Sequence, residues 1–299
     1  MKKIFIAIVA LAAAVSCSND DIISIDRQAI GFGNPFVENS VRADYSDGKT
    51  LGAFTVYGTV TSKSNSNSVA LFGGNGANVT GSVGAAAWNC EETEYWVPNC
   101  TYAFQAVADG VINNGAITVS VGNGDLDLLY AEKSAETDEN AAPTSGVNGN
   151  KVVEFNFTHL MSKVGFSFVN GSANNAYGYN ITAVSFKGHD TTGTYTISES
   201  KWDTAVTASD TALSFGTGTT THQIIPGKQT LNVTVAYDIV YKDKTISSTS
   251  FTKPLKEYNF EESKSYCIVV TIPAPGKEIQ FNVEEIAGWV EGNSEDLKI

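Results

Sequence analysis

Short β-branched and aromatic runs recur along this chain between clusters of Gly, Asn, Ser and Asp. Phe54-Thr55-Val56-Tyr57, residues 116–121 and residues 231–237 are the clearest of them. In the last run Leu231, Val233, Val235 and Tyr237 alternate with small or polar residues, which puts one face in a core and the other in water. Long helical periodicity is nearly absent. Short strands separated by turn residues predict an all-β protein built from sandwiches.

Breaks in this pattern suggest the organisation. Residues 132–150 begin with acids and continue into Pro143, Ser145, Gly146 and Gly149, with little apolar content. Such a stretch cannot bury itself and reads as a linker. It places an N-terminal sandwich at 43–150 and a C-terminal one at 151–299. Ile279, Phe281 and Val283 alternate within residues 278–285 as a last strand should. A C-terminal extension, 286–299, follows with Ile286, Trp289, Val290, Leu297 and Ile299 as apolar anchors.

The N-terminus departs from the β pattern. Lys2 and Lys3 precede an uncharged apolar stretch, residues 4–15. It is too short for a permanent membrane span, which needs ~20 residues, and reads as a cleaved signal at 1–16. Ala13-Ala14-Val15-Ser16-Cys17 resembles the lipobox of bacterial lipoproteins, which makes Cys17 the expected lipidation site. The polar, acidic Ser18-Asn19-Asp20-Asp21 that follows resembles a surface-export signal of Bacteroidetes lipoproteins. Cleavage removes two of the 19 basic residues and none of the 32 acidic ones, so the mature formal charge is 17 − 32 = −15. That charge repels phosphate backbones and argues against nucleic acid as a partner.

With Cys17 lipidated, Cys90, Cys100 and Cys267 remain. Cys90 and Cys100 either bridge neighbouring strands or stay small buried thiols. His159, His189 and His222 are far apart and lack ligand spacing, so no metal or other cofactor is expected. Gly48-Lys49-Thr50 ends like a phosphate loop, but Ala43 stands where the loop needs its first glycine. No catalytic constellation emerges, and an enzyme is not expected.

Arginine is distributed unevenly. Its only two positions, Arg27 and Arg42, lie in residues 17–42, against 17 lysines spread over the chain. An arginine-specific protease could trim the N-terminal segment and cut nowhere else.

Several segments, in order, resemble the fimbrillin family of Bacteroidetes type V pili. They are Ala29-Ile30-Gly31-Phe32, Ser40-Val41-Arg42-Ala43, Leu51 to Gly58, Tyr95-Trp96-Val97-Pro98 with Tyr102 to Ala106, Asp127 to Ala131, Phe155 to Val164, Ile224 to Gly227, and the late Lys264-Ser265-Tyr266 and Trp289. Val97 is a local departure, since the family commonly joins the tryptophan to the proline. The resemblance implies two tandem transthyretin-like Greek-key β-sandwiches. It also implies export to the outer membrane as a lipoprotein, proteolytic removal of a first strand carrying Ile30 and Phe32, and polymerisation by strand exchange. Arg42 is then the expected cut, with Arg27 the alternative, and the extension from Ile286 the expected donor. Partners would be copies of the chain or related pilins, the outer membrane through the lipid, and host or bacterial surface ligands in adhesion. A surface glycan-binding lipoprotein of a nutrient-uptake system, or a tip or anchor subunit of the pilus, are the other readings. Asp190-Thr191, Asp203-Thr204 and Asp210-Thr211 resemble Bacteroidetes O-glycosylation motifs, with Thr191, Thr204 and Thr211 as acceptors.

Overall fold

The computed structural model describes residues 28–37, 44–45, 49–82, 84–122, 124–173, 176–203, 208–215 and 221–286. These are organised by strands, and no α-helix occurs among them. The main strands of the first half are Gly31–Phe32 (β1), Phe36–Val37 (β2), Ala53–Ser62 (β3), Ala77–Thr80 (β4), Cys100–Ala108 (β5), Ala116–Ser120 (β6), Leu129–Thr137 (β7), Val152–Val153 (β8) and Asn156–His159 (β9). Those of the second half are Ser162–Gly171 (β10), Gly178–Lys187 (β11), Thr192–Thr196 (β12), Leu213–Phe215 (β13), Thr221–Ile224 (β14), Asn232–Tyr241 (β15), Lys244–Pro254 (β16), Ser265–Pro273 (β17) and Gln280–Ile286 (β18).

One curled sheet in the order β2-β9-β7-β5-β3-β4 wraps the first core. β5 pairs on both edges, with β3 and β7, and its side chains alternate between the two faces. Tyr102, Phe104 and Ala106 point into the core, while Thr101, Ala103 and Gln105 face outward. The first six residues of the stretch expected to be a linker, 132–137, belong to the central strand β7, which pairs with β5 from Leu129 to Glu136. Past Leu129 its buried side chains are small, Ala131, Ala135 and Thr137, and its outward ones include Glu132, Ser134 and Glu136. Low apolar content here reflects a strand with one wet face and a tight buried one. Val153, Phe155 and Phe157 also belong to the first core, so the boundary expected at residue 150 lies inside it.

In the second half two four-stranded sheets, β14-β10-β17-β18 and β13-β11-β15-β16, enclose a core of Val164, Phe186, Val233, Val235, Ile268 and Val270 among others. The strand expected over 278–285 is β18, paired antiparallel with β17 at the sheet edge. A third sheet joins the halves, because β6 pairs with β12 from Ala116↔Thr196 to Ser120↔Thr192. Ile117, Val119, Leu128, Met161, Tyr195 and Ile225 form a core beneath it. The Trp202 Nε1 donates to the Leu160 carbonyl at 2.9 Å. His159 Nδ1 lies 2.8 Å from Asp127 Oδ1, both side chains buried.

Cys90 and Cys100 are both free thiols, which corrects the bridge offered as one option. Cys90 lies opposite Val79, itself opposite Phe54 of β3, whereas Cys100 lies opposite Ser62 of β3. Eight residues of β3 (62 − 54) separate the two levels, roughly 26 Å along the strand at ~3.3 Å per residue. A disulfide needs Cα atoms within about 7 Å.

Asp190 is an uncompensated charge site in the second half. The residue is 1 % exposed and neither carboxylate oxygen has a hydrogen-bond partner. Burial raises its carboxyl above the usual range. Burial, helped by the nearby His222, lowers the His189 imidazole. A raised acid stabilises the fold below its unfolded value, and that stability is lost as pH rises through the folded value. A lowered imidazole does the opposite, losing stability as pH falls through its folded value. Asp190→Asn should therefore flatten the loss on the rising side. An unpaired buried polar group costs about 1–3 kcal/mol, and a charged one more, so the change should recover on the order of 1 kcal/mol. Urea unfolding of both proteins across pH 4 to 8 checks it, and parallel curves would show that Asp190 carries no penalty.

Candidate functional site: the seat of the first strand

Residues 28–37 lie in the first core as an extended segment held on both sides. On one side β1 runs parallel to β8 (Gly31↔Val152, Phe32↔Val153) and β2 parallel to β9 (Phe36↔Asn156, Val37↔Phe157). Gly33 N donates to the Val153 carbonyl and Phe36 N to the Phe155 carbonyl, both at 2.8 Å. On the other side Ile30 N donates to the Glu94 carbonyl at 2.8 Å, Trp96 N to the Gln28 carbonyl at 3.0 Å and Trp88 N to the Phe32 carbonyl at 2.8 Å. Ile30, Phe32 and Val37 are buried, and Phe32 is fully so. The Phe32 ring stacks on Phe155 at 6.1 Å and lies 6.1 and 6.2 Å from Phe104 and Phe72.

Local sequence explains the fit. A Cβ at Gly33 would come within 2.8 Å of both Val152 and Glu154 side chains, so only glycine lets the segment lie flat against β8. Trp96 packs edge-on to Tyr102 at 4.7 Å, and the Tyr102 hydroxyl accepts from Val97 N at 2.6 Å. The Trp-Val-Pro turn is thus pinned where it can pair with residues 28–30. The roles of Phe72, Trp88 and Glu94 in the seat had no signal in the sequence, because nothing local ties residues 72, 88 and 94 to residue 32.

The seat is the template strand exchange would need. Emptying it leaves those backbone groups unpaired beside an apolar groove, an edge that favours a strand in trans. It also removes Ile30, Phe32 and Val37 from a buried environment, each worth about 1.5–3 kcal/mol.

Other anticipated positions are scattered. Cys17, Arg27, Arg42, Thr204, Trp289, Val290, Leu297 and Ile299 lie outside the described residues. Ile286 ends β18 opposite Ser265 and is 39 % exposed. Thr211 is exposed beside an exposed Asp210, as a modifying enzyme requires, whereas Thr191 is half-buried and its Asp190 buried. Among the described residues no group of three or more His, Cys, Asp or Glu could hold a metal ion. No helix among them is long and apolar enough to cross a membrane.

Among solved structures, a candidate cell adhesion protein of Bacteroides uniformis is 18% identical with a TM-score of 0.54, covering 88% of this chain and 99% of its own. A fimbrial protein of Bacteroides vulgatus is 15% identical with a TM-score of 0.54, again covering 88% and 99%. A candidate cell adhesion protein of Bacteroides ovatus is 15% identical with a TM-score of 0.55, covering 89% and 99%. At these identities the likeness shows the shared all-β fold. No curated protein matches. A family model described as fimbrillin-like matches residues 42–289, which is most of the chain, and the protein therefore belongs to the fimbrillin-like family.

Proposed function

We propose that this protein is a structural subunit of a bacterial surface fimbria, used in adhesion and not in catalysis. It is exported as a precursor lipidated on Cys17 and held at the outer membrane. A protease cuts after Arg42, the segment carrying Ile30 and Phe32 leaves, and a segment of the next subunit takes its place. The two sandwiches are of the transthyretin-like type.

The seat carries this reading. A core position is filled by a short segment near the chain's start, and the nearest downstream arginine in the sequence comes after β2 and before the strand Asp44–Tyr45. The Arg27 cut would leave Ile30 and Phe32 in place. Exposed connecting segments are where proteases act, because paired strands cannot enter a protease cleft.

Arg42→Ala tests it. Expression in the native host should give precursor with residues 17–42 retained and no surface filaments. Filaments as abundant as wild type with an unchanged N-terminus would place the cut elsewhere. Cys17→Ala should separately abolish incorporation of radioactive fatty acid, and normal labelling would remove Cys17 as the anchor.

A further inference from the structure

The outward face of the first sheet carries a trough. Its shape follows from register. Tyr57 of β3 lies opposite Gln105 of β5, which lies opposite Glu132 of β7, so three long side chains stand in one row. Two residues along, Thr59, Ala103 and Ser134 form the adjacent row, and all three are short. The step between the rows, bounded at the β3 side by Ala70 to Gly74, encloses ≈ 350 Å³. That is the lower end of the range for small-molecule sites.

Long side chains on an exposed sheet face normally sample several rotamers. Here the wall is fixed. Ile112 N donates to the Tyr57 hydroxyl oxygen at 3.2 Å. Gln105 Nε2 donates to Glu132 Oε1 at 3.2 Å, and the Tyr130 hydroxyl donates to the same carboxylate. Gly76, at φ +80°, lets the backbone press on the Tyr57 ring, since a Cβ there would lie 2.8 Å from it. A ligand meeting this wall would not have to order it, which removes a main cost of binding.

We propose that this trough binds the neutral end of a carbohydrate chain. The one charged side chain on the outward wall is the Glu132 carboxylate, and it is already engaged by Gln105 and the Tyr130 hydroxyl. The wall's remaining polar groups are an amide and hydroxyls, which both donate and accept, as a polyhydroxylated ring requires. Tyr57 supplies an aromatic surface for the C–H face of a sugar ring. Sialylated or sulfated termini would meet Glu132 and a chain of net charge −13, and are disfavoured. The inference does not rest on strand exchange: Phe104 borders both trough and seat, but the trough's polar groups, on Tyr57, Gln105, Glu132 and Ser134, make no contact with the first segment described above.

The test is a printed array of neutral, sialylated and sulfated oligosaccharides, probed with the folded unprocessed chain, followed by calorimetric titration of the best-retained neutral oligosaccharide. Gln105→Ala should weaken its binding roughly tenfold, the loss of about one good hydrogen bond and its pre-ordered partner. Ala103→Arg, at an exposed floor position, should abolish it by filling the trough. Surface changes of this kind should leave the melting temperature nearly unchanged, which separates loss of the site from loss of the fold. Retention of no neutral oligosaccharide, preference for the anionic ones, or unchanged binding in either variant would overturn the proposal.

Discussion

Phe32→Ala is expected to destabilise the unprocessed first sandwich by about 3–5 kcal/mol and to leave the processed chain unaffected. The large value follows from the surroundings. Phe32 is fully buried, with Phe72, Phe104 and Phe155 all within 6.2 Å between ring centroids. Those rings are themselves held by strands or by the turn at Phe72, so the hole cannot collapse cheaply. The loss therefore combines the transfer of one aromatic side chain with a residual cavity term. The contrast between the two forms is the informative part. In the processed chain residue 32 has left with the segment, and the substitution has nothing to act on. Urea unfolding of the purified precursor, beside protein recovered from surface filaments, makes the comparison. An equal loss in both forms would mean that the segment stays, and that strand exchange at this seat is wrong. A loss under about 1 kcal/mol in the precursor would mean that Phe32 is not a core element.

What was legible in the chain depended on range. Alternation within a strand is local, so the all-β class, β15 and β18 could be read directly, whereas the first strand carrying Ile30 and Phe32 came from the family resemblance. β7 could not, because its buried positions carry Ala131 and Ala135 and its wet positions carry acids. A strand packed under tight neighbours needs small side chains, and small side chains beside acids look like a linker. The pairing of β6 with β12 joins residues 76 positions apart (194 − 118), which no periodicity records. The cysteines show the same limit. Their closeness in sequence suggested a bridge, while an intervening turn sends residues 90 and 100 to different levels of the sheet. The seat was half visible. Its filler is one alternating segment, but its walls come from residues 72, 88, 94, 104 and 152–157, assembled only by the fold.

Deleting residues 287–299 is expected to give a folded, exported and processed monomer that forms no filaments. The fold should survive because the described pairing of β18, through Ile286, uses none of residues 287–299. This strand pairs with β17 from Gln280↔Thr271 to Ile286↔Ser265, and Ile279, Phe281 and Val283 pack on the second core. Assembly should fail if the extension is the segment that enters the vacated seat. Thirteen residues (287–299) extend to at most about 47 Å, enough to cover the ten residues 28–37, which span at most about 36 Å. Leu297 and Ile299 are two apart, the spacing of Ile30 and Phe32, so both can point into one groove. A donor leaving from the second sandwich would enter a seat in the first, so the contact would join two different surfaces. Heterologous contacts of this kind generate an open filament, not a closed pair. A paired substitution, Leu297→Asp with Ile299→Asp, sharpens the test, because it keeps the length of the extension and removes only its apolar match. It should also stop polymerisation, since two carboxylates entering a groove lined by Phe72, Phe104 and Phe155 would be desolvated without partners. Electron microscopy of the cell surface and size-exclusion of the secreted chain read the outcome. Filaments of normal length from either variant would show that another segment fills the seat, and an unfolded deletion product would show that the extension belongs to its own sandwich.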